Sequence, residues 1–231
     1  MRVSSKIAAE RTLRTPRGDV LLVRDPPFEY IFPLAMGEGL GVFFHYRDRD
    51  ARMTRELLSA ATKGEDNRLV CAVHDHAVIG YVMIVPAEPG TRWFEINEAL
   101  IRSGSDLEHP VLLELGSVEV ARPWRSSGVG GGILRFAFED PHFERKIVIS
   151  RELSWHWDLK AAGLDAYGYR TMLLRFFERV GFRYCETDDN EIAYSGENML
   201  TARVGGEVPP ETALLFHRSL VRSEPRGWGW G

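Results

Sequence analysis

Eight residues at 125–132, RSSGVGGG, hold the pattern in this chain best suited to a charged ligand. They join a stretch that reads as a strand to one that reads as a helix. Four glycines there, Gly128 and Gly130 to Gly132, weaken a helix relative to alanine. Bare backbone at a helix start gives them a use. The amides of Ser126, Ser127, Gly128, Val129 and Gly130 lack intrahelical acceptors, the helix dipole adds partial positive charge, and Arg125 stands beside them. A diphosphate suits such a loop; a flexible structural turn is the plain alternative. A P-loop is excluded because no lysine lies between Lys63 and Lys146, and a GxGxxG loop starting at Gly128 has Ile133 in place of its third glycine. What remains is R-x-x-G-x-G after a strand.

The strand before the loop carries further reactive groups. Within 111–121 the alternation changes phase: Leu113 and Leu115 are odd, Val118 and Val120 are even, and Gly116-Ser117 fall between. One extra residue in a strand resets the alternation in this way, so a β-bulge is expected at that pair, leaving backbone groups for a ligand. Glu114 and Glu119 then share the polar side. Further on, Trp155, His156, Trp157 and Asp158 sit where a strand end turns toward a helix, a usual place for ligand contacts in α/β folds. His156 is a candidate base or acceptor contact, or else a hydrogen-bonded histidine between aromatic walls, and Asp158 can cap a turn. His74 and His76 belong to a hairpin connection, so no metal site is expected.

These groups need a scaffold, and the apolar pattern supplies one. Residues 19–24 read as a strand, followed by Pro26-Pro27, an apolar helical stretch to Phe44, and a helix over 49–62 with Met53, Leu57, Leu58 and Ala61 at helical spacing. Strands at 69–73 and 78–85 make a hairpin, and a short helix is expected over 93–102. From residue 111 the order is strand, helix (128–140), strand (146–153), helix (169–180) and final strand (182–188). An α/β fold follows: a mixed central β-sheet with helices on both faces, parallel pairs in its second half and antiparallel ones in its first. The expected organisation is one domain over 17–206, with 207–231 forming a C-terminal helix and a loose tail.

With 44% hydrophobic and 27% charged residues among 231, a mostly disordered chain is excluded. A formal net charge of −4 gives no general attraction to nucleic acid or an anionic membrane, so any anion site is local. No stretch stays apolar over about 18 residues, and the start of the chain has no signal-peptide core, which sets the expectation of a cytoplasmic protein. Cys71 and Cys185, far apart in apolar runs, are expected to be buried thiols.

Val120 followed by RSSGVG at 125–130 resembles the acetyl-CoA pyrophosphate loop of the GCN5-related N-acetyltransferase superfamily. FFERVGF at 176–182 is similar to that superfamily's next helix and strand. A narrower resemblance is to the acetoin-utilization acetyltransferase family of bacteria. It runs in order through EGLGVF (38–43), LELGSVEVA (113–121), WHWDLKAAGL (155–164), TDDNEI (187–192) and NMLTARVG (198–205). The resemblance implies the superfamily's fold, with the bulged strand splayed from its neighbour at the acetyl-CoA site. It also implies acetyl-CoA as cosubstrate, no metal, and a protein lysine as acceptor. The expected partner is AMP-forming acetyl-CoA synthetase, with no nucleic acid and no membrane. A small-molecule amine as acceptor and a non-catalytic acetyl-CoA sensor stand as alternatives, and the oligomeric state is open.

The same resemblance assigns roles. A lysine amine, which ordinarily titrates at about pH 10.4, needs a base or a desolvating pocket. Glu114, six residues before Val120, is the first candidate base and Glu119 the second. Backbone at Val118 would polarise the thioester carbonyl and Val120 would pair with the pantetheine arm. Arg125, Ser126, Ser127, Gly128, Val129 and Gly130 would hold the pyrophosphate, and His156 and Trp157 the acceptor. One departure stands out: Phe177 occupies the place of a tyrosine that in many members protonates the leaving thiolate. Either another group such as Tyr169 does so, or the thiolate, with a pKa of about 8.5 by analogy with cysteine, leaves unaided.

Overall fold

The hairpins and the crossovers written into the apolar pattern meet in one sheet. The computed structural model describes residues 7–41, 51–103 and 109–221. Its strands are β1 (Ala9–Thr15), β2 (Gly18–Arg24), β3 (Ala35–Met36), β4 (Arg68–His74), β5 (Ala77–Pro86), β6 (Leu112–Val120), β7 (Ile147–Glu152), β8 (Arg183–Cys185) and β9 (Met199–Val204). They lie in the order β1-β2-β4-β5-β6-β7-β9-β8, with β3 beside the start of β5. Along that order only β6 and β7 are parallel. The helices are α1 (Phe28–Ile31), α2 (Ala51–Ala61), α3 (Arg92–Arg102), α4 (Val129–Phe138), α5 (Leu159–Ala162), α6 (Ala166–Glu178), α7 (Asn190–Ala193) and α8 (Pro210–Ser219).

Helices cover both faces, as expected. α4 buries Val129, Ile133 and Ala137 at four-residue spacing, and a Cβ added at Gly80 of β5 would meet Val129 at 3.4 Å. Gly132 lets the same helix lie close to β1, since a Cβ there would stand 2.5 Å from Leu13. α6 covers the other end of this face, with the Arg170 guanidinium 5.1 Å over the Tyr184 ring. On the opposite face Trp93, Ile96 and Leu100 of α3 and Phe216 of α8 join Leu112, Ile147 and Ile149 in one core cluster. Cys71 and Cys185 are buried and free, and burial pushes both thiols upward.

Three features depart from the sequence expectation. The stretch after Pro27 is not one helix: α1 lasts four residues, β3 follows, and Gly39 and Gly41 adopt φ of +79° and +82°, which breaks helical geometry. Residues 42–44 lie outside the described set. The last strand of the expected series, β8, does not join β7; β9 inserts between them, antiparallel to both. Four consecutive buried residues at the start of β9 hid its alternation. The sheet also begins at Ala9, ahead of residue 17, and α8, beyond 206, packs into the core through Phe216. The tail at 222–231 is outside the described residues.

β6 is positioned by a side chain. Buried Asn97 of α3 accepts the amides of Val111 and Leu112 through Oδ1 at 3.0 and 2.9 Å. Each such amide, once orphaned in the interior, costs about 1–3 kcal/mol. Asn97→Ala is therefore expected to lower the urea midpoint sharply without changing the slope of the unfolding curve; an unchanged midpoint would show that water satisfies both amides.

Candidate active site

The bulge lies where the alternation placed it. Met83 pairs with Ser117 and Ile84 with Leu115, so Gly116 is the extra residue. It brings Glu114 and Glu119, five positions apart, onto one face. It also bends β6 away from β7. The two strands pair only from Leu112/Ile147 to Glu114/Ile149, although β6 continues to Val120 and β7 to Glu152. A wedge-shaped cleft opens between them.

Backbone groups point into that cleft. The Ala121 amide donates to Ile79 of β5 at 2.8 Å, whereas the Val120 carbonyl accepts from Arg125 Nε at 3.2 Å on the opposite side. Strand bonding alternates in direction along the chain, so the N–H groups of Val118 and Val120 also face the cleft. At its open end a short 3-10 turn (Arg122–Trp124) leads into α4, whose N-cap Gly128 has φ +90°. A Cβ at Gly128 would meet nothing within 4 Å, so the glycine serves the left-handed turn and leaves the first helical amides open. The Ser127 hydroxyl donates to the Trp124 carbonyl at 2.5 Å, and Ser126 takes φ +61°.

Arg125, beside the loop, is engaged on two sides. Its Nη1 donates to Asp158 Oδ2 at 2.8 Å while Nε holds the Val120 carbonyl, so it ties β6, the glycine loop and the WHWD segment together. The guanidinium holds the Asp158 carboxyl below the ordinary aspartate range. Asp158 also caps α5 through the Ala161 amide, as a turn-capping aspartate should.

The two glutamates share the face opposite α4, each already engaged. Glu114 Oε1 accepts from Arg151 Nε at 2.7 Å, and Arg151 Nη1 also donates to Glu191 at 2.7 Å. Glu119 Oε2 accepts the Gly41 amide. The segment before Gly41 is held against the end of β6, with the Arg122 amide donating to the Glu38 carbonyl at 2.8 Å.

His156 ends a 3-10 turn (Ser154–His156), partly buried, with its ring 5.8 Å from Trp155. Trp157, expected to hold the acceptor, is buried. It is 8% exposed and stacks on Tyr169 at 5.2 Å, because α6 closes over it. Burial raises the Tyr169 phenol above its usual range. Phe177 is buried against Phe176 and Phe182. His74 Nδ1 donates to the Asp19 carbonyl, 2.9 Å away, and the ring packs on Trp124. Among the described residues no group of three or more His, Cys, Asp or Glu could hold a metal ion, and no helix is long and apolar enough to cross a membrane.

Sequence reasoning missed the residues at the end of β7. Arg151 links Glu114 to Glu191 on one face. On the other, Glu152 accepts the Ser150 hydroxyl at 2.7 Å, and desolvation pushes its carboxyl above the ordinary range. The Trp157 indole N–H, buried without a hydrogen-bond partner, lies near the same carboxyl. The signal available was a pair of opposite charges ending an otherwise apolar strand.

No protein-family model matches the chain. It is 31% identical over 208 residues to the acetoin utilization protein AcuA of Bacillus licheniformis, covering 90% of this chain and 91% of that one. With the AcuA of Bacillus subtilis the identity is 32% over 170 residues, 74% and 76% of the two chains. A crystal structure of an acetoin utilization protein from Exiguobacterium sibiricum superposes with a TM-score of 0.80 at 30% identity, over 93% of this chain and 94% of that one.

The Arg125–Asp158 link has a pH signature. A carboxyl lowered by folding stabilises the native state above its ordinary value of 3.8 and loses that contribution as pH falls through its lower folded value. The stability difference between the unaltered chain and Asp158→Asn, from thermal unfolding, is expected to be constant above about pH 5 and to vanish toward about pH 2. A difference independent of pH would mean the carboxylate charge plays no part.

Proposed function

Because the chain belongs to the acetoin utilization protein AcuA family of N-acetyltransferases, we propose that it transfers the acetyl group of acetyl-CoA to a lysine of a protein, with AMP-forming acetyl-CoA synthetase the expected target. The observation that carries this reading is the cleft. Val118 and Val120 turn backbone groups into it, and the open first turn of α4 stands at its mouth. The diphosphate of CoA lies on the amides of Ser126 to Gly130, the pantetheine arm runs along Val120, and the thioester carbonyl meets the Val118 amide.

The acceptor amine enters from the face opposite α4. Glu119, one residue past Val118, is the better placed of the two glutamates to take its proton, since it accepts a neutral backbone amide whereas Glu114 is ion-paired with Arg151. In direct transfer the amine nitrogen attacks the thioester carbon, and the carboxylate removes the proton that the new N–C bond makes acidic. A broad acceptor surface favours a protein over a small amine. Near this face Trp155 and Tyr194, their rings 6.2 Å apart, are 38% and 82% exposed, and Glu191 projects to solvent on the same helix as the chain leading to Tyr194. Phe177 motivates the second reading, a sensor that binds acetyl-CoA without turnover.

Incubation with acetyl-CoA and acetyl-CoA synthetase, followed by mass spectrometry, is expected to find an acetylated lysine on the synthetase. Acetylation of added polyamines alone would favour a small-molecule acceptor, and binding without any transfer would favour the sensor. Glu119→Gln is expected to lower kcat about 100-fold, the lower range for a lost general base, while acetyl-CoA affinity is kept. A larger loss in Glu114→Gln than in Glu119→Gln would reverse the assignment of the base.

A further inference from the structure

Resting on the acetyl-transfer reading above, we propose that Glu152 is the catalytic acid that gives a proton to the CoA sulfur as it leaves, the role Phe177 cannot fill. Its position follows from register. β6 and β7 pair Leu112 with Ile147, Leu113 with Val148 and Glu114 with Ile149. Continued past the last pair, with Gly116 counted out as the bulge, the offset sets Ser150 level with Leu115, Arg151 with Ser117 and Glu152 with Val118. On that extrapolated register Glu152 stands level, across the diverging strands, with the residue whose amide meets the thioester carbonyl.

The faces agree as well. Val118 pairs with Val82, which shares the α4 side of the sheet with Gly80, while Glu152 pairs with Met199 and follows Val148 and Ser150 on that same side. This side is also where α6 places Phe177. The thiolate departs toward α6 as the amine enters from the opposite face. An acid on the amine's side, such as Glu114 or Glu119, would stand on the wrong face to reach it.

The surroundings suit a protonated carboxyl. Ser150 holds the half-buried Glu152 from its own strand, and the stacked rings of Trp157 and Tyr169 lie on the α6 side near it. The titratable group that interacts with it is Tyr169 from α6, and the charged groups next to Tyr169 are Arg125 and Asp158, which pair with each other. The paired charges leave little net field, and desolvation remains the largest influence on the carboxyl, favouring its neutral form.

The step balances without a further reactant. The amine lone pair forms the N–C bond, and the adduct collapses with the C–S electron pair passing to sulfur. The Glu152 O–H proton goes to that sulfur, giving the free thiol of CoA and a carboxylate. The proton shed by the amine leaves through Glu119 to water, and Glu152 regains one from solvent after the products depart.

The test compares kcat for transfer to acetyl-CoA synthetase across neutral and alkaline pH in the unaltered chain, Glu152→Gln and Glu152→Asp, with acetyl-CoA affinity from calorimetry. Glu152→Gln is expected to lose about 100-fold in kcat, to bind acetyl-CoA within about twofold of the unaltered chain, and to lack the fall in kcat at alkaline pH. Glu152→Asp is expected to recover part of the rate together with that fall. A full rate in Glu152→Gln, an alkaline fall that survives the substitution, or a loss confined to affinity would overturn the role and leave the transfer reading intact. No transfer by the unaltered chain would overturn that reading, and the role with it.

Discussion

A parallel strand pair that stops after three residue pairs is the constraint on which this molecule turns. Inside a sheet each strand satisfies its backbone with two neighbours; once β7 diverges, the outward half of the β6 backbone has no strand to meet. Such groups must find a ligand, water or side chains. Arg125 takes the Val120 carbonyl at the mouth of the cleft, and the remaining polar edge suits an extended amide-bearing chain such as pantetheine. The bulge at Gly116 is the local cause, because one extra residue twists the strand and ends its pairing.

From that constraint the chemistry divides between two faces. On one, Arg151 gathers Glu114 and Glu191, and Glu119 stands next to Gly41, so the acceptor side is rich in carboxylates that are oriented by fixed donors. On the other, Arg125 and Asp158 neutralise each other while Trp157, Tyr169 and Phe177 keep the surroundings apolar. An amine is drawn to the first face and a neutral acid is maintained at the second. The sheet between them, held at the start of β6 by Asn97, keeps the two environments apart.

Local rules carried much of this into the sequence. The bulge could be read from the reversal of parity between Leu115 and Val118, and the α4 start from the glycines after Arg125, because both depend on residues adjacent in the chain. What stayed hidden depends on contacts across the fold. β9 is buried on both faces, so its pattern shows no alternation, and its place beside β7 is decided by the return of the chain after α7. The partners of Glu114 and Arg125 lie 37 and 33 residues away, which no spacing rule reaches. The stacking of Trp157 on Tyr169 depends on where α6 lies, and Glu152 gains its interest only once β6 and β7 are known to part.

The central claim is that the cleft and the glycine loop form one site for an acylated CoA. The most direct measurement is a calorimetric titration with acetyl-CoA, 3′-phospho-ADP and NAD under identical conditions. The account predicts micromolar binding of acetyl-CoA, weaker binding of 3′-phospho-ADP, which fills the loop but not the cleft, and none of NAD. Equal binding of acetyl-CoA and 3′-phospho-ADP would mean the cleft holds nothing, and absence of binding by both would reduce the loop to a structural turn.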